Sequence, residues 1–381
     1  MDRTERLLAA LTEAHGAPGS ESAVRRVMAE HMPSHAELSS DKLGSLIAKV
    51  AGRSESPRVL VGAHMDEVAW IVREVTKDGF LKVYPLGGWW GHVMLSQRVV
   101  VHGDKGPVVG VFGSTPPHLL PDEERKKVIA PRDIYIDVGA AEGFDVARKL
   151  GIRNGHYVTP MADFQIMGNP QLYLAKAFDN RVACALVCDL MQATRPKSLP
   201  NTLYGLGSVQ EEVGLRGAGT SAWAVDPDVA LIVDVGIARD TPGIKEPGEK
   251  LGGGVAIDIF DAGMIPNGNL LQLVIDTADR NRIKYHLSSM ERGATDAGRV
   301  HISRAGVPTV SLGPAARYIH SHNSILSRYD YDATLKLLKA VVKQLDAATV
   351  AGLTDRPTKR VSARRPAVKT KRPARKGRTR R

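Results

Sequence analysis

Thiols are scarce in this 381-residue chain: it has two cysteines, Cys184 and Cys188, within one stretch that reads as helix. At that spacing they share a helix face, and the helix holds their geometry wrong for a bridge. A disulfide scaffold is excluded, and nothing points to an oxidising compartment. Long apolar runs are missing too. None approaches the ~20 residues a membrane span requires, and the run Leu7 to Leu11, behind a charged N-terminus, is too short for a signal h-region. No segment repeats at a fixed period. The expectation is a cytoplasmic protein with no membrane partner. Hydrophobic residues make up 43% and charged residues 24%. That ordinary mixture excludes a wholly disordered chain, a collagen and a coiled coil, and the length allows two or three domains of about 100–200 residues.

Acid is nearly missing from the C-terminal end. Residues 355–381 hold 13 Lys/Arg against a single Asp, whereas the rest of the chain holds 39 bases against 40 acids. The basic balance belongs to this tail, and the body is close to neutral. The tail has no aromatic residue and no large apolar residue beyond Val361 and Val368. Such a segment buries too little surface to offset its ordering entropy, so 355–381 reads as a disordered basic tail. Polyanion or nucleic-acid contact is its candidate role, one that would weaken steeply with salt.

What is present has a clear order. Residues 5–14 and 22–31 read as amphipathic helices split by the turn Gly16-Ala17-Pro18-Gly19, with Ser20 as a cap for the second. A buried strand follows at 59–63 and stops at His64. From about Val68 to Pro160 the texture is short β-rich runs, at 69–75, 80–84, 98–102, 108–112 and 133–138, several separated by Gly-containing turns. After residue 170 strands alternate with helices: strands at 172–177, 202–210, 229–235, 255–259, 284–287 and 309–312, helices at 180–193, 217–225, 270–282, 297–305 and 331–348. That alternation predicts an α/β domain with a mostly parallel sheet flanked by helices, interrupted by a small all-β insertion.

In such sheets, ligands bind outside the carboxyl ends of the strands. His64 and Asp66, Asp179, Glu211 and Glu212, and His320 follow four of the predicted strands, and Asp234 lies near the end of a fifth. Imidazoles with several carboxylates suit Zn²⁺, Mn²⁺ or Co²⁺ better than a structural thiolate site does. Two metals close together need a bridging carboxylate with terminal ligands on each side. Asp179 can bridge, with His64 and Asp234 on one metal and Glu212 and His320 on the other. Adjacent side chains in extended backbone point to opposite faces, which frees Glu211 to act as general base on the water between the metals. Asp66 can hold the far nitrogen of the His64 ring. Singly, each of these has a bland alternative: Asp179-Asn180 as a helix cap, Glu211-Glu212 as a solvated strand end, His320 and His322 as loop residues.

The segments Ala63-His64-Met65-Asp66-Glu67, Ala177-Phe178-Asp179-Asn180-Arg181, Val209-Gln210-Glu211-Glu212-Val213-Gly214 and Tyr318-Ile319-His320-Ser321 resemble the tetrahedral dodecameric metallo-aminopeptidases. That family includes glutamyl and deblocking aminopeptidases and some members labelled endoglucanase. Asp240-Thr241-Pro242-Gly243, Gly293-Ala294-Thr295-Asp296-Ala297, and Gly87-Gly88-Trp89 with Gln97-Arg98-Val99 match as well. The resemblance runs from about residue 6 to about 350. It implies a zinc-exopeptidase-like catalytic domain of residues 1–69 and 166–350, with a barrel-like dimerisation domain inserted at 70–165. It implies two divalent metals held by His64, Asp179, Glu212, Asp234 and His320, with Glu211 as base and Asp66 in support. It implies removal of N-terminal residues from peptides by a homo-oligomer built of dimers, up to a dodecamer. Two positions depart from the family's usual residues: Asn180, where a second Asp is usual, and His322, which stands as a rival ligand to His320.

A metal-dependent deacylase or carboxypeptidase on the same scaffold is the nearest alternative, since only recognition of the substrate amine would differ. Asp296, or Glu211 itself, is the candidate anchor for a free α-ammonium. A glycan hydrolase fits less well, because it needs two carboxyl groups about 5–9.5 Å apart and no metal cluster.

Overall fold

The structure is a computed structural model, and it describes residues 1–354. The basic tail expected at 355–381 lies outside the described residues.

The chain opens on the helix Arg3–Glu13, whose start is fixed by a reciprocal cap: Glu5 N donates to the Asp2 carboxylate and Asp2 N to the Glu5 carboxylate. Leu7, Leu8 and Leu11 form its buried stripe. The second helix, Ser22–His31, is not capped by Ser20. Glu21 occupies that position and makes no side-chain cap. Its carboxylate instead accepts from Gly19 N (2.7 Å) and Gln210 N (3.1 Å).

Twelve strands make one sheet. Its centre is parallel: Thr202–Ser208, Arg58–His64, Val229–Val233 and Thr309–Arg317 lie side by side in that order. Their residues are almost all buried, the signature of parallel strands covered on both faces. The edges are antiparallel. Leu46–Val50 and Glu37–Ser40 extend one side, and Ser324–Ser327, Leu172–Ala175 and Gln165–Ile166 the other. The helix Phe178–Gln192 lies against Arg58–His64 with nearly every residue buried, and Cys184 Sγ donates to the His64 carbonyl. Both cysteines are free.

Between the first and later strands of the sheet the chain forms a closed antiparallel barrel. Its six strands run in the order Ala69–Val75, Leu81–Leu86, Tyr135–Asp137, Gly106–Gly113, Arg98–Gly103 and Tyr157–Pro160. The barrel has its own core, with Trp70, Val83, Val101, Phe112, Ile136 and Val158 fully or almost fully buried. Where barrel meets sheet domain, the Thr159 hydroxyl sits between two imidazoles, 2.8 Å from His15 Nδ1 and 2.9 Å from His102 Nε2.

The described chain ends at Thr354 beside Arg58 and Pro308, where the parallel strands begin. Among the described residues no helix is long and apolar enough to cross a membrane.

Candidate metal centre

The parallel strands deliver their ends to one place. His64 is the last residue of its strand and Asp234 follows Val233 directly. Glu211 and Glu212 come shortly after Ser208, and His320 after Arg317. Asp179 lies at the start of Phe178–Gln192, but the backbone at Asp179 and Asn180 is not helical and the cap position falls to Ala177. The helix-cap alternative therefore fails there. The Asn180 side chain donates to the Val233 carbonyl (2.9 Å), tying this irregular stretch to the strand that presents Asp234.

The two oxygens of Asp179 face two different imidazoles. Oδ1 is 3.2 Å from His64 Nε2, and Oδ2 is 3.3 Å from His320 Nε2. Around His64 Nε2 stand Glu211 Oε2 at 3.9 Å and Asp234 Oδ1 at 4.0 Å, and Glu212 Oε2 is 3.6 Å from His320 Nε2. Three sets are spaced to hold an ion: His64/Asp179/Asp234, Asp179/Glu212/His320 and His64/Glu211/Glu212. Glu211 thus lies within reach of a cation as well as beside one.

The electrostatics call for positive charge. Burial, then the neighbouring carboxylates, push Glu211 and Asp234 well above the carboxylate range, against the pull of His64. Burial and Asp179 raise Glu212 to about 8. Burial also works against Asp179, yet the two imidazoles pull it below its ordinary value. His320 rises to about 10 despite burial, because Asp179 and Glu212 face it. Glu212 Oε1 is buried without a partner among the described residues. Crowded, buried carboxylates interleaved with imidazoles are the donor set for divalent cations, and the residues present fit them.

Asp66 supports this centre differently from the expectation. Its carboxylate accepts from Glu211 N (2.9 Å) and Glu212 N (3.1 Å). His64 Nδ1 is nearer the Asp66 carbonyl (3.1 Å) than its carboxylate (3.5 Å). Asp296 does not line the cleft. It is 1% exposed, one oxygen is bonded to Ser208, and the other has no partner among the described residues. His322 joins none of the three sets. It is buried in the barrel's aromatic core, and that burial lowers its pKa to about 4.

Several contributors were given no role by the sequence, although some lie in the matching motifs. Gly87 and Gly88, just past the barrel strand Leu81–Leu86, touch the centre: Gly88 O is 2.8 Å from His320 Nδ1. A Cβ on Gly87, whose φ is +86°, would fall 2.7 Å from Val68 and 3.0 Å from Glu212 Oε2. Beneath the centre, Lys176 and Arg181 are fully buried and paired with Glu67. The cleft in front, about 650 Å³, is walled by Val235, Ile237 and Ile319 and by two arginines, Arg292 and Arg299. Arg239 and Arg317 are each taken by an acid. Arg292 and Arg299 are exposed and form no ion pair among the described residues. Arg292 borders the Gly293–Ala297 motif, which was the available signal.

The family described as M42 glutamyl aminopeptidase matches residues 44–337. The glutamyl aminopeptidase of Lactococcus lactis is 36% identical over 90% of this chain and 96% of its own length. The crystal structure of a TET aminopeptidase from the marine sediment archaeon Thaumarchaeota archaeon SCGC AB-539-E09 superposes with a TM-score of 0.89 at 42% identity, covering 93% of this chain and 99% of that one. The Pyrococcus horikoshii TET1 peptidase, described as assembling into a tetrahedron or a large octahedral shell, gives 0.79 at 26% identity over 90% of this chain and all of its own.

Proposed function

This chain belongs to the M42 glutamyl aminopeptidase family and is a hydrolase acting on peptides, and from that premise we propose a two-metal aminopeptidase that prefers acidic N-terminal residues. The observation that carries the reading is Asp179, whose two oxygens face His64 and His320 at 3.2 and 3.3 Å. Asp179 would be shared by both cations, with His64 and Asp234 holding one and Glu212 and His320 the other. Zinc suits this donor set, with cobalt and manganese as alternatives. Bound there, the cations supply Lewis acidity to the scissile carbonyl and make water acidic enough to attack near neutral pH.

The remaining work falls to side chains of this chain. Glu211 takes the proton of the attacking water on its carboxylate and delivers it to the departing amine nitrogen. Asp66 keeps both glutamates in place through their backbone N–H groups. With Asp296 behind the wall, anchoring of the substrate α-ammonium falls to Glu211. Arg292 and Arg299, which form no ion pair among the described residues and line the same cleft as the metal centre, receive the side-chain carboxylate of the first residue. The barrel serves as the dimerisation domain, and dimers assemble into a closed homo-oligomer like the shells of the Pyrococcus horikoshii relative.

The test is a panel of free and N-acetylated peptides with Glu, Asp, Leu or Lys first, offered to metal-stripped protein before and after resupply of Zn²⁺, Co²⁺ or Mn²⁺. Expected is metal-dependent, stepwise loss of N-terminal residues from free peptides, with Glu and Asp released fastest. The acidic preference should collapse in Arg292→Ala/Arg299→Ala while Leu release persists. Cleavage of blocked peptides alone would replace this reading with a deacylase. An unchanged preference in the double variant would remove the arginines from substrate recognition.

A further inference from the structure

His320 is the least enclosed member of the centre, 35% exposed, and its ring has one hydrogen-bond partner outside the cluster, the Gly88 carbonyl. Its backbone is also unusual. Tyr318 and His320 both have left-handed φ, +58° and +55°. Non-glycine residues hold that conformation only where their surroundings over-determine it. Within the loop from Arg317 to Ser324, the Ser321 and Ser324 hydroxyls donate to the Tyr318 carbonyl, at 2.7 and 3.1 Å, and a further hold comes from outside it.

The clamp is two residues on. His322 is 2% exposed, and its ring packs among three aromatic side chains of the barrel. Its centroid is 5.8 Å from Trp70, 5.6 Å from Trp89 and 6.4 Å from Phe112. Trp70 and Trp89 stack at 4.0 Å, Phe112 meets Trp70 edge-on at 4.6 Å, and Trp89 Nε1 donates to the Ala69 carbonyl. Neither ring nitrogen of His322 has a hydrogen-bond partner among the described residues. Packing is its main hold, with the Arg98 backbone as a polar neighbour that acts on the ring. Trp89 directly follows Gly88, so one wall of this seat and the contact to the His320 ring come from the same short stretch of the barrel. The contact holds the His320 ring, and the seat holds the chain that carries it.

We propose that His322 is a positioning residue: seated among Trp70, Trp89 and Phe112, it fixes the left-handed loop so that His320 Nε2 points at Asp179 and Glu212. Its ring acts by shape, and its nitrogens ligate nothing. The inference rests on the two-site reading given above. It goes beyond that reading in assigning the barrel's aromatic core a part in setting the affinity of one site.

The experiment is zinc titration of metal-stripped full-length protein against a chromophoric chelator, with folding checked by circular dichroism. His322→Ala should weaken one of the two zinc equivalents about tenfold or more and leave the other unchanged, the usual scale for loss of an outer support. His322→Phe, which keeps a flat ring, should restore affinity to within about threefold of the parent. Ile152→Ala, a truncation elsewhere in the barrel core, should lower the melting temperature without moving either affinity. Should His322→Ala not fold, Trp89→Leu opens the same seat from the barrel side and must weaken the same site. Unchanged affinities in His322→Ala, or equal weakening in Ile152→Ala, would overturn the proposal. So would a His322→Phe as weak as His322→Ala, which would make the nitrogens the active part. A parent protein that takes up one zinc sinks the two-site reading instead, and the same comparison of variants then decides the role of His322 at that single site.

Discussion

At the scale of single residues, two neighbouring glutamates are assigned different work. Glu212 faces His320, while Glu211 Oε2 stands 3.9 Å from His64 Nε2. Glu211→Gln keeps the side chain's size and removes its basicity. The expected outcome is a fall in kcat of about 10²- to 10⁴-fold, the usual contribution of a general base, with zinc uptake measured by elemental analysis unchanged. Loss of a zinc equivalent would place Glu211 among the ligands, as the His64/Glu211/Glu212 grouping allows. Beneath the centre, Glu67 neutralises two fully buried cations, Lys176 and Arg181. Glu67→Ala strands both and is expected to destabilise the protein by about 3–5 kcal/mol, read from chemical denaturation. A loss below about 1 kcal/mol would mean that water reaches the pair. The ligand types were legible in the sequence because each sits at the end of an apolar run. Lys176, Arg181 and Arg292 were not, because a charged residue in a one-dimensional string gives no sign of being buried or of facing a cleft.

At the scale of elements, the parallel strands and the long helices were readable from apolar runs and helical spacing. The edge strand Glu37–Ser40 was not: all four residues are exposed, so no alternation marks it. The helix expected over 297–305 shrinks to Ala297–Val300, with left-handed Arg304 turning the chain before Pro308. The seam between barrel and sheet domain carries a pH prediction. Burial, with Lys176 close by, pulls the folded-state pKa of His15 down to about 4, against about 6.5 in an unfolded chain. The unfolded state therefore takes up the proton first. This contribution to stability is complete above about pH 6.5 and is lost as the pH falls towards 4. Melting temperatures between pH 7 and 4 should fall less steeply in His15→Gln than in the parent. Parallel curves would show that the seam does not sense acid.

At the scale of the whole molecule, the last described residue and the candidate centre lie at opposite ends of a strand. The described chain ends at Thr354 beside Arg58, the first residue of the strand whose last residue is His64. The strand is seven residues long, which puts its ends about 20 Å apart. Deleting residues 356–381, which contain none of the residues assigned to the centre, should leave peptide hydrolysis unchanged while abolishing any salt-sensitive retention on immobilised polyanions. Retention equal to the parent's after the deletion would move polyanion contact to the body. The Gly88 carbonyl that faces His320 has a different consequence. It comes from the insertion, so the sheet domain alone does not carry a complete set of supports for its own histidine. With the barrel as the proposed dimerisation domain, exchanging it for that of another protein would graft in a foreign brace for the candidate centre along with a foreign subunit contact. Chimeras made that way would inherit quaternary habit and turnover together, as a single trait.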